Sequence, residues 1–284
     1  MLDMENPQNS TNIVDISGGL NHPDLTFYRT LRRPLDHFAE RIFVAEGENV
    51  VRRLLATNLR IRSLLVTPEW LLQIQNEPRA SDPSIIFYRA PKELLAEIVG
   101  FNLHQGIMAV VEMPTDPVLE DVLDSVGSTG LIVALDGLVS AENIGVIVRN
   151  CAGLGVDLLL AGETSGSPYL RRAVRNSMGT IFSLPVIHIP NLSSCLAMLH
   201  TQRGFDVLAA DPLGAQSLFE TNLTGNVCVV VGNEGNGLSP GVLAVCNRHV
   251  SIPMARETDS LNVANATAVI LSEALRQRHY AKPR

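Results

Sequence analysis

Residues 131–150 read L-I-V-A-L-D-G-L-V-S-A-E-N-I-G-V-I-V-R-N, an unbroken apolar run over 131–135, a short loop through Gly137, and apolar residues at helical spacing from Ile144. A run apolar at every position fits a strand buried on both faces, which is the habit of parallel sheets covered by helices. The pattern repeats towards the C-terminus. Strands are expected at 157–161, 185–189, 205–210, 226–231 and 249–252, with helices near 144–154, 170–177, 192–200, 240–246 and 261–278. The fold class is therefore α/β, and ligands of such sheets sit beyond the carboxyl ends of the strands.

Towards the N-terminus a smaller α/β unit is expected, with strands at 42–45, 63–67, 85–88 and 107–112 and helices at 50–56, 69–75 and 94–99. A short Arg-rich helix around 27–33 precedes it. Residues 1–22, with Pro7, Gly18 and Gly19, read as a flexible leader. Met113-Pro-Thr-Asp-Pro117 reads as a linker. The expected organisation is leader 1–22, a first domain 23–113, linker and first helix 114–130, and a second domain 131–284.

Composition narrows the function classes. The formal net charge of −7 argues against a protein that coats nucleic acid indiscriminately, so any nucleic-acid contact must be local. Nearly all basic residues are Arg, with Lys92 and Lys282 as the two lysines, and Arg makes bidentate contacts to phosphate. Cys151, Cys195, Cys228 and Cys246 form no C-x-x-C pair and read as reduced core residues. No stretch has the roughly 18 apolar residues of a membrane helix, and the acidic start does not read as a signal peptide, so a cytoplasmic protein is expected.

Three segments after strands carry residues that the core does not require. In the first, Asn143 is a plausible helix N-cap, and Arg149 sits in a run of Val and Ile where a charge needs a partner. In the second, V-V-V-G-N-E-G-N-G-L-S over 229–239, glycines at 232, 235 and 237 let backbone approach a ligand. Glu234 lies in mid-loop and could hold a basic partner such as Arg149. In the third, from Ile252 through Met254 to Asn265, Ser260 or Asp259 could cap the last helix. Asn262 and Asn265 then add nothing to helix propensity. Each has a bland alternative: a capped helix, a Gly-rich turn, a polar cap.

Taken together, N-I-G-x-x-x-R-N, G-N-E-G-x-G-L-S and I-P-M…S-L-N-V-A-N-A, in this order, resemble the three motifs of the SpoU (TrmH-like) family of RNA 2′-O-ribose methyltransferases in the SPOUT superfamily. Ser177-Met-Gly179 followed by Leu184-Pro-Val186 is similar to the family's S-x-G…L-P-V stretch. Val44-Ala-Glu-Gly47 and His104-Gln-Gly-Ile107 are similar to the substrate-binding domain often fused ahead of it. One departure is Ala141-Glu142, where many members carry an Asp-Pro or Asn-Pro pair.

The resemblance implies a C-terminal parallel-sheet domain with a deep trefoil knot, preceded by a smaller α/β RNA-binding domain resembling a ribosomal protein. It implies S-adenosylmethionine as cofactor, no metal, RNA as substrate with ribosomal RNA favoured over transfer RNA, and a homodimer joined through the knot and the last helix. Asn143, Arg149, Glu234, Ser260 and Asn262 become the candidate catalytic residues. Gly232, Ile252, Met254, Leu261 and Asn262 become the cofactor-binding ones, and Arg171, Arg172 and Arg175 candidates for the RNA backbone, with Arg29, Arg32 and Arg33 in the first half. An arginine is a poor general base, so the expected role of Arg149 is to hold phosphate and hydroxyl in line, oriented by Asn143 and Glu234.

Two rival readings belong to other classes. A non-catalytic RNA-binding protein of the same fold would not need complete motifs. A nucleotide-dependent enzyme on an ordinary doubly wound fold needs a Gly-rich turn after the first strand, where only Gly137 stands.

Overall fold

The computed structural model describes residues 12–16, 22–100, 106–255 and 260–280. Pro7, Gly18, Gly19, His104, Gln105 and Asp259 lie outside them. Contacts group the chain into two compact units, Met1–Pro114 with Tyr169–Arg175, and Thr115–Pro168 with Asn176–Arg284. The expected second domain ran unbroken from 131, whereas Tyr169–Arg175 is counted with the first unit.

In the first unit, strands β1 (Asn12–Asp15), β2 (Ile42–Glu46), β3 (Ile61–Val66), β4 (Ile86–Arg89) and β5 (Ile107–Glu112) form one sheet in the order β1-β4-β3-β5-β2. It is mixed: β1 and β3 run parallel to β4, while β5 lies antiparallel between β2 and β3. The leader expected over 1–22 is corrected over 12–15, where the chain adds an edge strand. Arg89 Nε and Nη2 donate to the Asp15 carboxylate at 2.6 and 2.7 Å, and Ile16 is buried. Four residues of N-I-V-D are too few for a period to show. The Arg-rich helix expected at 27–33 is also corrected: Thr26–Arg29 forms one turn, and Pro34 opens a separate helix, Pro34–Ala39.

The second unit is a seven-stranded, all-parallel sheet in the order β10-β12-β9-β11-β6-β7-β8. Its strands are β6 (Leu131–Asp136), β7 (Leu158–Gly162), β8 (Val186–Ile189), β9 (Asp206–Ala210), β10 (Gln216–Ser217), β11 (Val227–Gly232) and β12 (Arg248–Ser251). Every residue of β6 and β7 is buried, as the apolar runs 131–135 and 158–161 require, and β6 ends on the buried Asp136. Ile132, Leu160, Val207 and Val230 pack on one face beneath Leu196 and Leu199 of helix Leu192–Arg203. The edge strand β8 is blunted by Asp116, whose carboxylate accepts the His188 N–H at 2.7 Å.

The chain runs outward from β6 through β7 to β8, then returns to build β9, β11 and β12 on the other side of β6. Strands β6 and β11 are therefore neighbours at a reversal of strand order, the place where open α/β sheets commonly bind ligands. Gly232 pairs in register with Asp136, so the loops leaving both strands start side by side.

The cysteines are buried and unpaired. Burial raises all four thiol pKa values, Cys195 to about 11 and Cys246 to about 12. Among the described residues no helix is long and apolar enough to cross a membrane.

Candidate functional site

The loop after β11 is braced before it meets any ligand. Asn233 and Gly237 exchange backbone hydrogen bonds, Asn233 N–H to Gly237 O at 3.0 Å and Gly237 N–H to Asn233 O at 2.9 Å. Within this small hairpin Asn233 Oδ1 accepts the N–H groups of Gly235 and Asn236 at 2.9 and 3.1 Å. Its Nδ2 donates across to Gly137 O at 2.9 Å. Asp136, buried at the end of β6, accepts the Ser239 N–H at 2.6 Å. The two loops are thus stitched together by one amide and one carboxylate.

Gly232 was expected to clear space for a ligand. The structure gives it another duty: a Cβ there would lie 2.5 Å from the carbonyl carbon of Gly237 and 2.6 Å from Leu238 N. The loop's own backbone excludes a side chain. Gly237, at φ +67°, supplies the left-handed turn that brings it there.

Helix Ala141–Gly153 is capped by Ser140, whose hydroxyl accepts the Asn143 N–H at 3.2 Å. The expectation that Asn143 is the cap is therefore corrected, and its side chain is free to point elsewhere. The last helix, Val263–Leu275, is capped by Asn262 rather than Ser260, its Oδ1 accepting the N–H of Ala264 at 2.9 Å and of Asn265 at 3.4 Å. The two helices pack together, with Asn150 Nδ2 donating to Ala264 O at 3.0 Å.

These caps set up a hydrogen-bonded chain through all three segments. Asn262 Nδ2 donates to Asn143 Oδ1 at 3.2 Å, and Asn143 Nδ2 donates to the Glu234 carboxylate. With Ala264 N–H donating to Asn262, every donor points towards Glu234, so each bond polarises the next. Glu234 holds the Asn143 amide and forms no ion pair with Arg149, contrary to the expected pairing. Arg149 is exposed, and its guanidinium makes no hydrogen bond or ion pair among the described residues. Its neighbours Val148 and Ile147 are buried while its guanidinium faces outward, which removes the desolvation cost its sequence context implied.

Beside this chain lies a cavity of about 430 Å³ at the ends of β9, β11 and β12, within the usual range for small-molecule sites. Gly232, Ile252, Met254, Leu261 and Asn262 line it, as do Glu234 and Ser260. All five residues expected to hold a cofactor thus line one cavity. Ser260 sits exposed on its lining.

Arg171 and Arg175, expected to grip an RNA backbone, converge instead on Glu46 within the first unit. Arg171 Nη1 donates to Glu46 Oε2, and Arg175 Nη1 to Oε1 at 3.0 Å. Glu46 and Arg171 are largely buried, while Arg175 is half exposed. Arg172 is engaged as well.

Reasoning from the sequence missed Asn233 and Asp136, which brace the loops, and Asp211 and Pro212 after β9, which line the cavity. The rule that loops following strands matter would have found the last two, since D-P-L-G follows an expected strand directly.

Comparison with known proteins bears on this geometry. The SpoU rRNA Methylase family model matches residues 130–272. A protein of Mycobacterium bovis named an uncharacterized tRNA/rRNA methyltransferase is 32% identical over 269 residues, covering 92% of this chain and 91% of that one. A 23S rRNA (uridine(2479)-2′-O)-methyltransferase of Streptomyces viridochromogenes is 35% identical over 181 residues, 61% of this chain and 60% of its own. Among solved structures, the SpoU methyltransferase AviRb of the same organism, in complex with AdoMet, superposes with a TM-score of 0.79 at 26% identity. That match covers 92% of this chain and 100% of that one.

Proposed function

This chain belongs to the SpoU rRNA methylase family, and from that premise we propose that it transfers a methyl group from S-adenosylmethionine to a ribose 2′-hydroxyl of ribosomal RNA. The observation that carries this reading is that the second and third segments line one cavity while Asn143 of the first is hydrogen-bonded to both through Glu234 and Asn262.

The cavity fits the cofactor on its own chemistry. Ile252 and Leu261 offer aliphatic surface to an aromatic base, and the loop from Gly232 to Gly237 lies on the cavity wall. When bound, S-adenosylmethionine supplies a methyl group on a positively charged sulfur. In this reading Gly232, Ile252, Met254 and Leu261 hold the cofactor. Asn262 serves both helix cap and cavity wall.

Arg149 carries the RNA side of the reaction. An exposed guanidinium, uncommitted among the described residues, can clamp the phosphate next to the reacting ribose and orient the hydroxyl for in-line attack. Asn143 and Glu234 fix the loop edge against which the ribose is placed, and the proton leaves to solvent. The reading also includes a trefoil knot, a homodimer and a cytoplasmic site of action. In support of the knot, the chain beyond β12 returns to the loop after β11, so that both line one cavity.

The test is to map 2′-O-methyl positions in ribosomal and transfer RNA from cells with and without this gene. Loss of one ribosomal position supports the reading. A change confined to transfer RNA moves the substrate, and no change in either overturns the assignment.

A further inference from the structure

Resting on the cofactor reading above, we propose that Asp211 makes the cavity select a cationic sulfonium ligand over the neutral thioether that remains after methyl transfer. Asp211 is the first residue beyond β9, on the carboxyl-end side of the sheet, and it lines the cavity together with Gly232 and Ile252.

Its placement is firm. Asp211 N–H donates to Val250 O at 3.0 Å, and Oδ1 accepts the Leu213 N–H at 2.9 Å. Oδ2 lies 3.5 Å from His249 Nδ1, and the side chain is only 26% exposed. Backbone on both sides therefore anchors the carboxylate against the cavity wall.

The charge balance of the wall gives the argument its direction. Among the described lining residues the ionisable groups are Asp211 and Glu234, both acids, and no Lys or Arg lines the cavity. Glu234 already accepts from Asn143. A partly buried carboxylate beside apolar surface creates a negative potential that favours a cation and that water does not fully screen.

S-adenosylmethionine and S-adenosylhomocysteine share adenosine, ammonium and carboxylate groups. They differ by one methyl and one positive charge at sulfur. In the transfer the S–CH3 bond breaks, its electron pair stays on sulfur, the O–CH3 bond forms, and the hydroxyl proton leaves. The cofactor thus loses one unit of positive charge, and the field that held the reactant no longer holds the product. Asp211 would favour loading and release alike, without touching the RNA.

The test is calorimetry on the full chain with three ligands: S-adenosylmethionine, S-adenosylhomocysteine, and the cationic analogue in which an amine-bearing carbon replaces the sulfonium. Asp211→Asn retains an acceptor oxygen for Leu213 N–H, so the turn survives. It is expected to raise Kd for the two cationic ligands about tenfold and for the thioether less than about twofold.

Equal weakening of all three, or no change, overturns the inference. As a second measurement on the unaltered chain, the ratio of thioether to sulfonium Kd is expected to shrink as salt rises. A ratio that stays flat overturns the inference too. If the unaltered chain binds none of the three, the cofactor reading itself fails and takes this inference with it, a result distinct from loss of selectivity alone.

Discussion

Asn143 and Asn262 stand 119 positions apart in sequence and are joined by one hydrogen bond, Nδ2 of Asn262 donating to Oδ1 of Asn143 at 3.2 Å. Because Asn143 Nδ2 in turn donates to the Glu234 carboxylate, this bond makes two helix starts and one loop a single unit. Replacing Asn143 by Asp sets a carboxylate against Glu234 and removes the donor. Turnover is expected to fall about 100-fold, as it does when groups are misplaced by about an ångström, while cofactor Kd changes only a few-fold. Steady-state methyl transfer beside calorimetry checks the split. Turnover within about threefold of the parent would show that the chain of amides is structural only.

Gly232→Ala tests the loop. The added methyl meets the backbone of Gly237 and Leu238, which cannot rotate away. Overpacking of this kind costs about 1–3 kcal/mol, and the displaced loop carries cavity residues with it. A lowered denaturation midpoint together with lost cofactor binding is expected. Full affinity at parental stability contradicts the geometry.

Glu46 holds two guanidinium groups, one on a mostly buried side chain and one on a side chain 52% exposed. Glu46→Ala removes the buried carboxylate that Arg171 and Arg175 share, and breaking a buried pair costs about 3–5 kcal/mol. Arg175→Ala removes a half-solvated arm and is expected to cost under about 1 kcal/mol. Chemical denaturation of both variants measures the contrast, and similar losses in the two would refute it.

The buried thiols give the protein an alkaline limit. Their folded pKa values lie above the unfolded value of about 8.5. The unfolded chain therefore sheds protons that the folded chain keeps, and stability falls as pH rises beyond about 8.5. Urea midpoints measured between about pH 7 and pH 10 should decline. A thiol reagent should label the four cysteines only after unfolding. Rapid labelling of the native protein contradicts their burial.

The parallel sheet was legible because β6 over 131–135, β7 and β11 are runs without a polar side chain, a pattern that burial on both faces demands. The three segments were legible because their motifs follow one another in order after strands, with Arg149 and Glu234 beyond what a helix or turn requires. What stayed hidden depends on partners distant in sequence. Asn143 looked like a cap because nothing local shows that Ser140 already fills that role. Arg149 and Glu234 looked like an ion pair because opposite charges attract on paper, whereas the fold gives Glu234 an amide. The strand at Asn12–Asp15 exists only because Arg89 and the edge of β4 receive it. Tyr169–Arg175 joins the first unit through Glu46, a residue more than 120 positions earlier.

The central claim is transfer to a ribose oxygen, and alkali tests it directly. A 2′-O-methyl group removes the hydroxyl that attacks the neighbouring phosphate, so the bond beside it survives base. Purified protein is incubated with methyl-labelled S-adenosylmethionine and unmodified ribosomal RNA, and the RNA is then hydrolysed in alkali. The label is expected in one alkali-stable dinucleotide, reduced at least tenfold by Arg149→Lys. Label in mononucleotides, which marks a methylated base, or transfer undiminished in the Arg149→Lys variant, would contradict the account.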